Sequence, residues 1–164
     1  MTVHDFSVDL KYSMEERSFW DVIYKTAFPI MLGLVDCSSD MTMQSAGIDT
    51  IVKLPFGGKL YIDEKKRKKN YGDILIEYNS NDTTNSPGWV EKHLKIDYIA
   101  YAFMETNSVY FIPFKELQLK WKENKNEWLK KYPLKSAANR FYKTLNVAIP
   151  FFELNSLRII KVKL

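Results

Sequence analysis

The sequence predicts an α/β domain. Three observations carry this. A helix with apolar residues at helical spacing stands near the N-terminus. A series of short runs rich in β-branched and aromatic residues follows, separated by Pro, Gly and Asn turns. A long lysine-studded helix then precedes a mixed tail. With 164 residues, 46% apolar and 27% charged, the chain can bury a core of its own. It is read as one domain over 1–164, with a core at about 13–114 and a basic helix and C-terminal elements at 115–164.

The first helix is expected from Ser13, with Glu16 three residues later completing a capping box and Pro29 marking the end. Phe19, Trp20, Ile23 and Ala27 fall on one face. The polar stretch 36–46 reads as a loop running into a strand. Gly47–Leu54 and Lys59–Lys65 read as two strands joined by Pro55-Phe56-Gly57-Gly58. In the second, Leu60 and Ile62 face one way, and Tyr61, Asp63 and Lys65 the other. A third strand is expected at Asp73–Tyr78, then a polar loop at 79–88. Two further strands follow at Ile96–Phe103 and Ser108–Phe114. Lys115–Tyr132 reads as a helix carrying Leu117, Trp121 and Trp128. The tail from Asn146 holds a short strand, a helical turn at Phe152–Leu157 and a last strand at Arg158–Lys163.

Charge and cysteine content narrow the classes of function. A net charge of +4 and a pI near 9.0 permit a polyanionic partner without requiring one. The single cysteine, Cys37, excludes an internal disulfide and a cysteine-based zinc site and fits a reducing cytoplasm. The longest apolar run, Ala27–Val35, holds Pro29 and Gly33 and is too short to cross a bilayer. No membrane partner and a cytoplasmic location are expected.

The chemistry concentrates at Asp49 and at Asp63-Glu64-Lys65. The two aspartates lie on consecutive strands of a short hairpin, which can set them side by side on one face. Two facing carboxylates repel, and a divalent cation between them relieves this. Lys65, two residues after Asp63, falls on the same face. There it could orient or deprotonate a water, or stabilise charge building on a phosphate.

An acid on one strand, a spacer, then an apolar strand ending in acid-x-Lys resembles the PD-(D/E)xK nuclease superfamily, which includes restriction endonucleases and Holliday-junction resolvases. The resemblance covers roughly residues 13–80. It implies a central mixed β-sheet flanked by helices, a restriction-endonuclease-like core, and a phosphodiester hydrolase dependent on Mg²⁺ (or Mn²⁺) acting on nucleic acid, first of all DNA. It implies that Asp49 and Asp63 are metal ligands, that the Glu64 peptide carbonyl completes their shell, and that Lys65 is the catalytic lysine. It also implies a glutamate from the first helix, for which Glu16 is the first choice, Glu15 the second and Asp21 the third. Ile48 stands where the family pattern has proline, and the second acid is Asp. A second register reads Glu64-Lys65-Lys66 as acid-x-Lys. Asp63/Lys65 is preferred because it leaves Ile62 facing the core.

Other residues keep two readings each. Lys65 and its neighbours Lys66, Arg67, Lys68 and Lys69 suit phosphate contacts, or equally a solvated loop or a charged strand end blunting a sheet edge. Trp89 could stack on a base or pack in the core, with Lys92 beside it on the nucleic-acid side. Glu77 could face the metal or hold Lys65 if its strand borders the active strand, or it could be exposed. The helix lysines alternate with Glu116, Glu123 and Glu127, which suits intrahelical pairing. His93 lacks a neighbouring acid to orient it as a base. Asp36 and Asp40 suit turn capping, Arg140 and Tyr142 could touch phosphate, and His4 is expected to be disordered. A homodimer would let two such centres cut both strands. A non-catalytic nucleic-acid-binding or structural protein on the same fold is the alternative to an enzyme.

Overall fold

The computed structural model describes the backbone of residues 6–164 and the side chains of residues 17–164. The first helix, α1 (Phe6–Ala27), begins upstream of Ser13, so Ser13 is not its cap. Neither Pro nor Gly occurs between residues 6 and 27 to stop it. It ends where expected, just before Pro29, whose ring cannot continue a helix. The capping box, Glu15, Glu16 and His4 lie outside the residues whose side chains are described.

The stretch 36–46, expected as loop, starts on the last residue of a strand and holds a short helix. After β1 (Gly33–Asp36) comes a short helix, α2 (Met41–Ser45). Asp40 caps it: its Oδ1 accepts the Thr42 and Met43 N–H groups at 2.9 and 3.0 Å. Gly47, at a φ of +79°, turns the chain into β2 (Thr50–Lys53) and then β3 (Lys59–Arg67). The remaining elements are β4 (Asp73–Asn81), β5 (Ser86–Pro87), β6 (Tyr98–Phe103), β7 (Ser108–Pro113), α3 (Phe114–Lys131), β8 (Leu134–Ala138), β9 (Lys143–Pro150) and β10 (Ile160–Lys163). A 3₁₀ turn at Trp89–Glu91 precedes β6, and another at Phe151–Leu154 follows β9.

Two sheets result. The larger has the order β1-β2-β3-β6-β7-β10, and the smaller the order β5-β4-β9-β8. The larger is mixed: β3 and β6 run parallel, and its other neighbours are antiparallel. A parallel pair needs a long crossover; here β4, β5 and the Trp89 turn supply it. The strand expected at 73–78 therefore does not border β3. It continues to Asn81 and lies at the centre of the second sheet.

Sidedness follows from strand alternation. On one face of the larger sheet, Val52, Ile62, Ala100, Ala102, Val109 and Phe111 pack under Trp20, Ile23 and Tyr24 of α1 and Phe28 just after it. On the other face, Ile51, Ile99, Tyr101, Phe103 and Ile112 pack with Ile74 and Ile76 of β4, Val147 and Ile149 of β9, and Leu117, Trp121 and Trp128 of α3. The fold is α/β, with a mixed sheet between a helix and a second layer. Among the described residues no helix is long and apolar enough to cross a membrane.

Candidate active site

The β2–β3 hairpin sets the geometry. Its antiparallel register pairs Thr50 with Ile62, Ile51 with Tyr61 and Val52 with Leu60. The Asp49 N–H donates to the Ile62 carbonyl at 2.9 Å, out of step with the Thr50–Ile62 pair, so the regular ladder ends at Thr50 and Asp49 lies just beyond it. Asp63 belongs to the alternating set with Tyr61 that faces away from α1, and the Asp49 carboxylate lies close beside it.

Each aspartate is held differently. Asp49 is half-buried. Its Oδ2 accepts the Glu64 peptide N–H at 2.7 Å and its Oδ1 accepts Gln44 Nε2 at 2.9 Å. Gln44 is itself fixed, since Nε2 also donates to the Cys37 and Ile48 carbonyls at 3.2 and 3.1 Å. Asp63 is only 6% exposed, and Lys65 Nζ lies 2.8 Å from its Oδ1 and 2.7 Å from its Oδ2. Burial pushes the Asp63 pKa up to about 6; the Lys65 ammonium opposes the rise and the neighbouring Asp49 carboxylate adds to it. Lys65 Nζ also sits 5.8 Å from the Trp89 ring centroid.

Glu64 points the opposite way, toward α1. Its Oε1 accepts the Tyr24 hydroxyl and the Thr50 hydroxyl, each at 2.7 Å. Burial raises the Glu64 pKa, and the two hydroxyl donors oppose this. The Tyr24 hydroxyl is pushed well up by burial and by the Glu64 carboxylate beside it. Above Glu64 a cleft of about 620 Å³ opens between α1 and β1–β3, lined by Arg17, Asp21, Asp36, Asp49 and Lys66 among others. Asp49 thus reaches both faces of the sheet end. Asp21, the third choice for an acid from the first helix, lines this cleft.

No family model, curated protein or solved structure matches the chain. The site is therefore read from its own geometry.

Several expected members lie elsewhere. Trp89 is not presented for stacking on a base: it is buried at 8% exposure, in a turn packed against β4 and α3. Glu77 does not reach Lys65 along a neighbouring strand, because β4 belongs to the other sheet. Its Oε1 instead accepts the Trp89 N–H at 3.2 Å and so steadies the indole over which Lys65 lies. Arg67 is not a free phosphate contact. It is ion-paired with Asp73 and stacks 4.9 Å from the Tyr71 ring centroid. Strand alternation splits the basic run, leaving Lys66, Lys68 and Lys69 exposed, as is Lys92. On α3, Glu116 pairs with Arg158 and Lys125 with Glu91, so its pairing reaches other elements, while Lys131–Glu127 spans one helical turn. His93, Arg140 and Tyr142 are exposed. Asp36 accepts the Ser38 N–H at 2.8 Å and pairs with Arg17.

Among the described residues no group of three or more His, Cys, Asp and Glu side chains is arranged to hold a metal ion. Asp49 and Asp63 offer two carboxylates, and hard oxygen donors of this kind suit Mg²⁺ or Mn²⁺. Sequence reasoning missed Gln44, Tyr24 and Thr50. The apolar setting of Tyr24 on the helix and the β-branched Thr50 read as core and strand, and nothing local marks them as partners of Glu64.

Proposed function

We propose that the chain is a metal-dependent phosphodiester hydrolase acting on nucleic acid, DNA first, on a restriction-endonuclease-like core. The observation that carries this reading is the closeness of the Asp49 and Asp63 carboxylates at the end of the β2–β3 hairpin, with Lys65 two residues on and paired to Asp63. A buried carboxylate beside a second one calls for a cation, a place the Lys65 ammonium holds in this structure and a divalent ion could share. The element order supports the same core: a helix, a three-strand meander, and a further strand parallel to the third. The crossover through β4, β5 and a 3₁₀ turn, in place of a helix, is this chain's own.

Asp49 and Asp63 would hold the Mg²⁺ or Mn²⁺, with the Glu64 peptide carbonyl as a third donor. The ion supplies Lewis-acid stabilisation of the phosphoryl oxygens and lowers the pKa of a bound water. Gln44 and the Glu64 N–H fix the Asp49 carboxylate, so it needs little rearrangement to bind. Lys65, now paired with Asp63, stands where it can pair with a phosphate oxygen once a cation takes over the carboxylate.

Incubating plasmid and branched DNA with Mg²⁺ or Mn²⁺ tests the reading. Cutting that disappears in Asp63→Ala with the fold intact is expected. Binding without cutting at every metal concentration would sink it. The closed Lys65–Asp63 pair favours one second reading, a nucleic-acid-binding module in which Lys65 occupies the carboxylate permanently.

A further inference from the structure

The β2–β3 hairpin carries more than the acidic pair. From Asp63 toward the turn, its cross-strand pairs on one face are Ile51/Tyr61 and Lys53/Lys59. These four side chains share the alternating face of Asp63. Lys53 and Lys59 are both exposed and directly opposed. Like charges in that position are unfavourable unless an anion lies over them. Asp97, beside the ladder, has its Oδ2 turned to the Tyr61 N–H at 2.8 Å and does not neutralise them.

Beyond the lysines, the turn presents Phe56 entirely to solvent, at 108% exposure. Its φ is +58° and ψ +28°, a left-handed conformation in which a bulky residue is strained and Gly or Asn is favoured. The turn is firmly closed: Gly58 N–H donates to Pro55 O at 3.2 Å and Leu54 N–H to Gly58 O at 2.8 Å. The closed turn therefore holds the Phe56 ring out in solvent, with its faces open to a partner.

We propose that this hairpin is a nucleic-acid finger: Lys53 and Lys59 seat a backbone phosphate, and Phe56 stacks on an unpaired or terminal base. This rests on the nuclease reading for the identity of the strand. The lysine pair lies four residues along β3 from Asp63, roughly 13 Å at strand spacing. That is about four nucleotide steps of stacked strand. The finger therefore fixes the distance between a strand end or junction and the acidic pair. Phosphate contacts set position, and the aromatic selects for accessible base faces.

The test is fluorescence anisotropy of the full chain, in EDTA, with a fluorescein-labelled DNA duplex bearing a single-stranded overhang. Phe56→Gly should weaken binding about tenfold while the melting temperature stays level or rises, because Gly takes the positive φ without strain. Phe56→Trp should retain binding. Lys53→Ala with Lys59→Ala removes one phosphate contact and should reduce the salt slope of log K by roughly 0.7–0.9. No DNA binding by the parent chain, or unchanged affinity and salt slope in these variants, overturns the finger even if plasmid is cut. A loss of binding to phosphatidylserine vesicles, or of dimer mass in light scattering, in place of the DNA effect overturns it in favour of a membrane or self-association surface. DNA binding lost in the variants with no cutting under any metal leaves the finger standing and removes the hydrolase.

Discussion

The Gln44 side-chain amide donates to Asp49 Oδ1 at 2.9 Å while two backbone carbonyls hold the same nitrogen in place. Gln44 therefore acts on the acid without standing in its ladder. Outer partners of metal-binding carboxylates typically change affinity by about 10- to 100-fold. Gln44→Ala should raise the Mg²⁺ concentration for half-maximal cutting by about that factor and leave cutting at saturating Mg²⁺ near normal. A fall in the saturating rate with no change in metal requirement would count against the positioning role.

Stability should depend on pH through Asp63. Its pKa is raised in the fold, from 3.8 to about 6. The folded chain therefore binds this proton more tightly than the unfolded chain, and the contribution to stability falls as pH rises between about 4 and 6. Two units correspond to about 3 kcal/mol. Urea unfolding at pH 5 and pH 7.5 should show the chain more stable at the lower value, with the raised Glu64 pKa acting in the same direction. Asp63→Asn should flatten the difference; an unchanged profile would refute this source.

On the opposite face, Tyr24→Phe removes one of two donors to the Glu64 carboxylate. A hydrogen bond to a charged, buried acceptor contributes about 1.5–3 kcal/mol. The loss should appear in the denaturation midpoint at neutral pH and shrink at acid pH, where Glu64 is protonated. Equal destabilisation at both pH values would indicate lost packing alone.

Much of this arrangement was legible in the residues. Leu60 and Ile62 do face the helix, and Tyr61, Asp63 and Lys65 the other side, because a period of two is written plainly in that strand. The short hairpin does bring the Asp49 and Asp63 carboxylates close, although Asp49 lies beyond the last pair of the ladder. α3 was read nearly to the residue from its apolar spacing. What could not be read was long-range. Ile74-Leu75-Ile76 looks the same whether its strand joins the first sheet or starts a second. Leu134–Ala138, exposed throughout and without a β-branched residue, is a strand only because β9 pairs with it. Trp89 gave no sign of burial, which depends on the close approach of Gly88 to β4.

That approach can be tested directly. A Cβ on Gly88 would collide with the Glu77 carbonyl and come within 2.7 Å of the Tyr78 nitrogen. Both obstacles are backbone, so no side chain can yield. Gly88→Ala should cost about 3 kcal/mol or more, and it should displace Trp89 from Lys65. Circular dichroism melts and tryptophan fluorescence would register both; a variant as stable as the parent would show that the 88–91 turn shifts freely.

The alternation along β3 makes the length of its paired part a matter of parity. Adding or removing one residue inside the paired strand, between Lys59 and Ile62, would shift the rest of β3 by one place and exchange its faces. Asp63 and Lys65 would then turn into the apolar layer under α1, and Ile62 and Glu64 would turn out from it. Changes of two residues would leave every side chain on its own face. Length variants within the strand that survive selection should therefore differ in even steps, whereas the turn from Leu54 to Gly58, outside the ladder, can change by single residues.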